Sequence, residues 1–308
     1  MESASNPAVL EVAAKPASLR LPAILEALRP SQWVKNGFVL AALIFAERLT
    51  NQHDVLDACL AALIFCGASS AVYLLNDVLD AEQDRLHPVK KARPVASGRV
   101  HPSTALFVAV LLATCALSAS WALSHALFGV VILYAAMNVA YSAWLKHVLL
   151  LDVFVIAAGF VLRVMAGGIA INVPISSWLI ICTTLLALFM ALSKRRHELI
   201  LLGEQCAQHR SSLGQYSRYF LDQLIAIVTA STVMSYALYT MSADVRSRFP
   251  GKHLALTIPF VIFGIFRYLF LVHQREEGGN PTRMLLTDSV LLSVVLMWAA
   301  SVVLIIYF

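Results

Sequence analysis

The sequence predicts an all-α integral membrane protein with nine transmembrane helices. Three observations carry that expectation. Of its 308 residues, 59% are hydrophobic and 13% charged, where a soluble globular domain is about half apolar and about a quarter charged. Mean hydropathy is +0.76, and apolar runs of spanning length recur along the whole chain. Lysine and arginine fall mostly on one of the two sides that nine crossings define, and removing one crossing scatters them.

Residues 1–20 are polar and rich in small side chains, without the basic-then-apolar order of a signal peptide. They read as a disordered cytoplasmic leader, and residues 21–308 as one nine-span membrane domain. A span needs about 20 apolar residues. The candidates are 34–48, 56–75, 103–123, 125–145, 149–171, 175–193, 221–242, 254–273 and 286–308. The first is short, with Lys35 and Asn36 inside it. The second runs directly into polar residues at Asn76. The fourth and fifth are parted only by Lys146 and His147, which demands a tight connection. No internal repeat, low-complexity tract or soluble domain boundary interrupts the series. Cys59, Cys66, Cys115, Cys182 and Cys206 are scattered and form no C-x-x-C pair, which argues against a disulfide framework or a zinc site.

With nine spans, the N-terminus shares a side with the loops after the second, fourth, sixth and eighth. That side collects 17 of the 23 basic residues. The other side holds Arg48, Arg246, Arg248 and Lys252, while Arg163 and Arg267 fall inside spans. The positive-inside rule makes the crowded side cytoplasmic. The net charge of +5 is therefore a topology signal. With no basic stripe interleaved with exposed aromatics, it does not indicate a nucleic-acid partner.

The segment NDVLDAEQDRLHPVKKARPVASGR, Asn76 to Arg99, follows the second span. On a helix Asn76, Asp80 and Asp84 stand one turn apart and share a face. Asp77 lies near Asp84, because seven residues nearly complete two turns. One sector thus carries an amide oxygen and three carboxylates. Such ligands suit Mg2+, which takes one or two carboxylates with phosphate oxygens and water. An exposed acidic loop is the plainer alternative, but carboxylates at the end of a span are costly unless paired or ligating. Lys90, Lys91, Arg93 and Arg99 follow within one loop. Acid that holds a metal beside base that holds phosphate is the combination a metal–diphosphate requires. Anchoring on anionic lipid is the alternative for Arg99 and Lys90, whereas Arg93-Pro94 looks like part of a rigid lid.

LSKRRHEL, Leu192 to Leu199, ends the sixth span. Lys194 and Glu198 are one turn apart on one face, with Arg195 adjacent. Three consecutive cations at a span end also serve as topology anchors, the use that Arg196 fits best. Lys35 in RPSQWVKNG, Lys146 in YSAWLKH and Arg163 in FVIAAGFVLRVMAGG form a third set. An arginine inside a span faces a polar cavity or snorkels to the surface. Asp152 lies about three turns before Arg163, too far for a direct pair. Lys35 and Lys146 also fit as interfacial lysines. His87, His101, His197 and His273 show no metal-ligand spacing, and Gly167-Gly168 reads as close helix packing.

NDVLDAEQD resembles the first aspartate-rich motif, N-x-x-x-D-x-x-x-D, of the UbiA superfamily of intramembrane prenyltransferases. The resemblance covers nearly the whole chain after residue 25. It implies nine helices around a central cavity open to the cytoplasmic side and laterally to lipid. It also implies Mg2+ held by two aspartate-rich motifs on a prenyl diphosphate. The second motif should read D-x-x-x-D at the end of the sixth span. Here that place reads Lys194-Arg195-Arg196-His197-Glu198. A cation has replaced one carboxylate, which removes metal charge and adds donors for a phosphate bound directly. RPSQWVKN, YLLNDVLDAEQDRLHPVKKARPVASG, YSAWLKH, AGG and LFMALSKRRHEL are similar, in order and spacing, to the decaprenyl-phosphate phosphoribosyltransferase branch.

That resemblance implies phosphoribosyl diphosphate (PRPP) as donor, a polyprenyl (decaprenyl) phosphate as acceptor, and a bacterial inner-membrane enzyme whose site faces the cytoplasm. It implies Asn76, Asp80 and Asp84 as Mg2+ ligands, and Asp77, Asp80 and Asp84 as catalytic. Lys35, Tyr73, Lys90, Lys91, Arg93, Tyr141, Lys146, Arg163, Lys194, Arg195 and Glu198 are the expected substrate-binding residues. Membrane lipids are expected partners, and several apolar faces would support a homo-oligomer. Two other readings stand beside it. One is a prenyltransferase joining a prenyl diphosphate to a small aromatic acceptor. The other is a transporter lined by Arg163 and Arg267, against which stand the lack of an inverted repeat and the one-sided polar residues.

Overall fold

The structure, a computed structural model, describes residues 22–86, 89–203 and 212–308. The expected leader, His87, Cys206 and Arg210 lie outside them. No strand occurs among the described residues. The short helix α1 (Ala23–Ala27) leads into a 3-10 segment, Pro30–Leu40, and then α2 (Ala41–Phe45). There follow α3 (Gln52–Leu79), α4 (Ala81–Leu86), α5 (Pro102–Leu123), α6 (His125–Ala143), α7 (Leu151–Ala170) and α8 (Ser177–Leu202). The chain closes with α9 (Arg218–Met241), α10 (Ala243–Arg248), α11 (Ile258–Gln274), α12 (Pro281–Thr287) and α13 (Ser289–Tyr307).

Side chains start the long helices where the sequence places small polar residues. Asn51, Ser124, Ser176, Ser217 and Asp288 each accept a backbone N–H of the first turn that has no partner within the helix. Among the described residues, eight helices have the length and apolarity to cross a membrane: α3, α5, α6, α7, α8, α9, α13, and α11 counted from Leu254. They coincide with eight of the nine expected spans, and the chain is an integral membrane protein.

The exception is 34–48, which is not a long helix. Its 3-10 segment carries Lys35, Asn36 and Gly37 in the middle of the apolar run, and α2 is only five residues long. Asn36 turns its amide sideways instead. It donates to Cys66 Sγ (3.2 Å) and Ser69 Oγ (3.4 Å), and accepts from Arg163 Nε (2.8 Å). Packing against two long helices thus replaces regular α-helix.

In α3 and α7, 56% of the spanning window is buried, against 17% in α5 and α13. The first pair is therefore central and the second faces lipid. One apolar core joins α3, α6 and α7 through Phe65, Leu127, Val131 and Leu162, with Val39 of the 3-10 segment. The other joins α7, α8, α9 and α11 through Val153, Phe189, Ile225 and Leu271. α7 belongs to both. It meets the 3-10 segment so closely that a Cβ on Gly167 would collide with the Val39 carbonyl. Gly167→Ala is expected to destabilise the protein by about 1–3 kcal/mol, the usual cost of overpacking. Gly129→Ala, whose Cβ would meet open space, is the control. Thermal unfolding in detergent reads both.

Candidate active site

α3 ends at Asp80, whose backbone (φ −93, ψ 6) leaves helical geometry before α4 begins. Two backbone bonds, Asp80 N to Asn76 O and Asp84 N to Asp80 O, carry the one-turn spacing across the break. The break divides the four polar residues that sequence spacing placed in one sector. Asn76 and Asp80 face the end of α6: Ser142 Oγ donates to Asn76 Oδ1 (2.7 Å), and Lys146 Nζ lies 3.3 Å from Asp80 Oδ1. Asp77 and Asp84 share a different partner. Arg93 Nη1 is 2.6 Å from Asp84 Oδ2 and 3.3 Å from Asp77 Oδ1.

Asp77 is also paired with Arg29, a residue that sequence reasoning counted only as a topology charge. Arg29 has a left-handed backbone (φ 56, ψ 59), and its guanidinium lies 4.9 Å from the centre of the Tyr73 ring. Tyr73 is therefore an arginine platform. Burial lowers the proton affinity of Arg29, and the neighbouring Asp77 opposes that. The available signal was its place beside Pro30, at the head of RPSQWVKN. Arg29, Asp77 and Arg93 line a cavity of about 260 Å3 with Glu26, Val89, Ala92 and Pro94. Lys90 and Lys91 stand on the exposed 3-10 turn Lys90–Ala92 beside it. Arg99, expected as a lipid anchor or phosphate ligand, bonds Glu26 (2.6 and 3.0 Å) and the Ala92 carbonyl (2.7 Å). It fastens this loop to α1 and holds the Glu26 carboxyl below its usual range.

The end of α8 is a second cluster. Asp152, at the start of α7, is fully buried and accepts from Arg195 Nε (2.6 Å) and Tyr216 Oη (2.8 Å). Arg195 also pairs with Glu198 and donates to Tyr141 Oη (3.0 Å). Lys194 Nζ is 3.7 Å from Glu198. Arg196, expected as a topology anchor, instead ties α8 to α9 and α11 through Asp222 (2.6 Å) and the Val272 carbonyl (3.4 Å). The chain reaches Asp152 through a strained turn. Leu150 has φ 67, Leu151 N donates to Leu149 O (2.8 Å), and Leu150 N donates to Tyr216 Oη (3.1 Å).

The end of α6 joins the two clusters. Tyr141 reaches Arg195, while Ser142 and Lys146 reach Asn76 and Asp80. Lys35 lies within electrostatic range of Arg29, Arg163 and Lys194. Arg163 does not snorkel to the surface. It is 5% exposed and donates to Asn36, Gly159 O and Tyr134 Oη.

Among the described residues, no three His, Cys, Asp or Glu side chains form a closed metal cage. The donor set nevertheless fits a hard cation completed by substrate phosphates. Asn76 presents an oxygen to Ser142 of α6 and Asp80 one to Lys146 just beyond it, and the buried Asp77 Oδ2 has no hydrogen-bond partner.

Residues 37–196 match the model of the UbiA prenyltransferase family, and relatives align over nearly the full chain. The chain belongs to the UbiA prenyltransferase family. A decaprenyl-phosphate phosphoribosyltransferase of Corynebacterium glutamicum is 35% identical over 92% of this chain and 86% of its own length. One of Mycobacterium tuberculosis is 35% identical over 95% and 97%. The fold matches a UbiA homolog from Archaeoglobus fulgidus solved with GPP and Mg2+, with TM-score 0.70, 17% identity, and 93% and 100% of the two chains covered. In this UbiA-family fold the two clusters meet at one end of the helix bundle, and α6 holds them together.

Proposed function

We propose that this chain transfers 5-phosphoribose from PRPP to a polyprenyl phosphate such as decaprenyl phosphate, giving polyprenylphosphoryl-5-phosphoribose and diphosphate, with Mg2+ as cofactor. The observation that carries this reading is the meeting of an acidic α3 end with a cationic α8 end at the C-terminus of α6. The names of the 35%-identical relatives support it. A prenyl diphosphate carries phosphate at one place only. A phosphoribosyl diphosphate carries it at two, and the extra cation Lys194, set beside the buried Arg195 network, suits that donor.

Asn76 and Asp80 are the residues that would hold Mg2+, which when bound supplies charge neutralisation at the leaving diphosphate, while Asp84, expected as a third ligand, faces Arg93 instead. Arg93 and Lys146 neutralise phosphate oxygens beside them. Asp77, held between Arg29 and Arg93, orients the ribose. The C1–O bond to diphosphate breaks with oxocarbenium character at the ribose, by analogy with glycosyl transfer. An acceptor phosphate oxygen forms the new bond from the opposite face. That oxygen is already anionic at neutral pH, so no general base is needed. Alignment of the two substrates supplies much of the rate.

The excess of basic residues at this end supports a site facing the cytoplasm, in a bacterial inner membrane by analogy with the relatives. Pro30–Phe45 provides the ninth crossing, because eleven 3-10 residues and five α residues reach about 29 Å against a hydrocarbon core of about 30 Å. Residues 21–308 then form a single membrane domain.

Radiolabelled PRPP incubated with polyprenyl phosphate and the purified protein is expected to yield a labelled lipid, and only with Mg2+ present. A protein that instead joins a prenyl diphosphate to an aromatic acceptor sinks the proposal. Lys194→Ala is expected to raise KM for PRPP by about tenfold or more, as loss of a charge-assisted phosphate contact does, with little change in KM for the lipid. Equal effects on both substrates would return Lys194 to a topology role.

A further inference from the structure

Several cations at the inner faces and ends of the helices are matched by carboxylates. Lys146 faces Asp80, Lys194 faces Glu198, Arg195 faces Asp152, Arg196 faces Asp222 and Arg267 faces Asp288. Other helix cations have no carboxylate partner among the described residues, and two of these, Arg163 and Lys35, lie inside the bundle. Arg163 donates only to neutral acceptors and is surrounded by the rings of Phe65, Tyr134 and Phe160. Lys35 is partly buried, and among the described residues no carboxylate lies within ion-pair distance of it.

The depth of Lys35 follows from its neighbour. Asn36 is bonded to Ser69 and to Arg163. Ser69 lies about 9 Å before residue 75, where the apolar run of α3 gives way to Asn76, at about 1.5 Å per residue, which is about a third of the thickness of the hydrocarbon core. A cation at such a level is costly and marks a substrate or ion path. The charges within electrostatic range of Lys35 are Arg29, Arg163 and Lys194, all positive. Among the described residues no carboxylate supplies its counter-charge, a role that an anionic ligand would fill. The preceding residues, Trp33 and Val34, expose apolar surface. One short segment thus offers a half-buried ammonium beside an outward apolar face, which matches a ligand with an anionic head and a hydrocarbon tail.

We propose that Lys35 seats the phosphate monoester of the acceptor lipid, with Asn36 and Arg163 as positioning residues that hold its segment at that depth, and with the polyprenyl tail leaving along Trp33 and Val34. This rests on the proposed function for the identity of the lipid. It gives two lysines of the site different duties: Lys194, beside Glu198, serves the donor and Lys35 the acceptor. The reactants then approach C1 from opposite sides.

The test compares wild-type protein, Lys35→Met and Lys35→Arg, each as the full chain in detergent. Two readouts are needed: steady-state kinetics with both substrates, and binding of polyprenyl phosphate against the uncharged polyprenol by native mass spectrometry. Lys35→Met is expected to raise KM for polyprenyl phosphate by about tenfold or more, to leave KM for PRPP within about twofold, and to remove the preference for polyprenyl phosphate over polyprenol. Lys35→Arg is expected to restore most of that preference. An unchanged lipid KM, or an equal rise for both substrates, overturns the assignment. A wild-type protein that makes no phosphoribosyl lipid refutes the proposed activity, whereas the binding comparison still reads the subsite: a preference that survives in Lys35→Met overturns it independently.

Discussion

Asp80→Ala is expected to lose phosphoribosyl transfer by more than about 100-fold while the protein still folds. The size follows from position, since even partners outside the ligand shell of a metal typically cost about 10–100-fold when removed. The intact fold follows from exposure. The Asp80 side chain is 31% exposed, and among the described residues its ion-pair partner is Lys146 at 3.3 Å. Pairs of that kind contribute at most about 1 kcal/mol. Asn76 keeps its bond to Ser142, so the α3–α6 contact survives. Activity with and without Mg2+, beside a melting curve in detergent, separates the two effects. A fully active Asp80→Ala protein would remove the metal assignment, and an unfolded one would make Asp80 structural.

Sequence reading reached eight membrane helices because twenty-residue apolar runs leave little else for the chain to do in a bilayer. It did not reach the true form of residues 30–45. Whether an interrupted apolar run becomes α-helix or 3-10 depends on what its polar residues meet. Asn36 meets Ser69 and Arg163, each far away in sequence. The same limit governs the site. Local spacing placed Asn76, Asp77, Asp80 and Asp84 in one sector, and at seven residues apart Asp77 and Asp84 do share Arg93. The change of direction at Asp80 was not legible, and it separates that pair from Asn76 and Asp80. Arg29 was overlooked because its partner, Asp77, is 48 positions away. Arg196 looked like a surface anchor because Asp222 belongs to a helix that sequence spacing cannot orient. Arg163 was singled out correctly as unusual, but its neutral, aromatic surroundings are a property of three packed helices.

The pair formed by Asp152 and Arg195 is expected to give the largest loss of stability of any single truncation near the site. Asp152→Ala leaves a 2% exposed guanidinium beside an apolar gap with Glu198 as its remaining carboxylate, and breaking a buried ion pair from one side costs up to about 3–5 kcal/mol. It also releases Tyr216. Burial pushes the Tyr216 phenol above its usual range, so that the hydroxyl stays a donor to Asp152. The same oxygen accepts from Leu150 and steadies the left-handed turn there. Replacing both partners with apolar residues, Asp152→Leu with Arg195→Met, is expected to recover much of the melting temperature, because two desolvated charges disappear together. It should not recover transfer. Arg195 is what fixes Glu198 and Tyr141 beside Lys194, and without it the donor-binding turn of α8 loses its register against α6. A stable but inactive double variant therefore separates positioning from folding. A double variant with full activity would show that the buried network serves stability alone, leaving Lys194 to be oriented by Glu198 without help from Arg195.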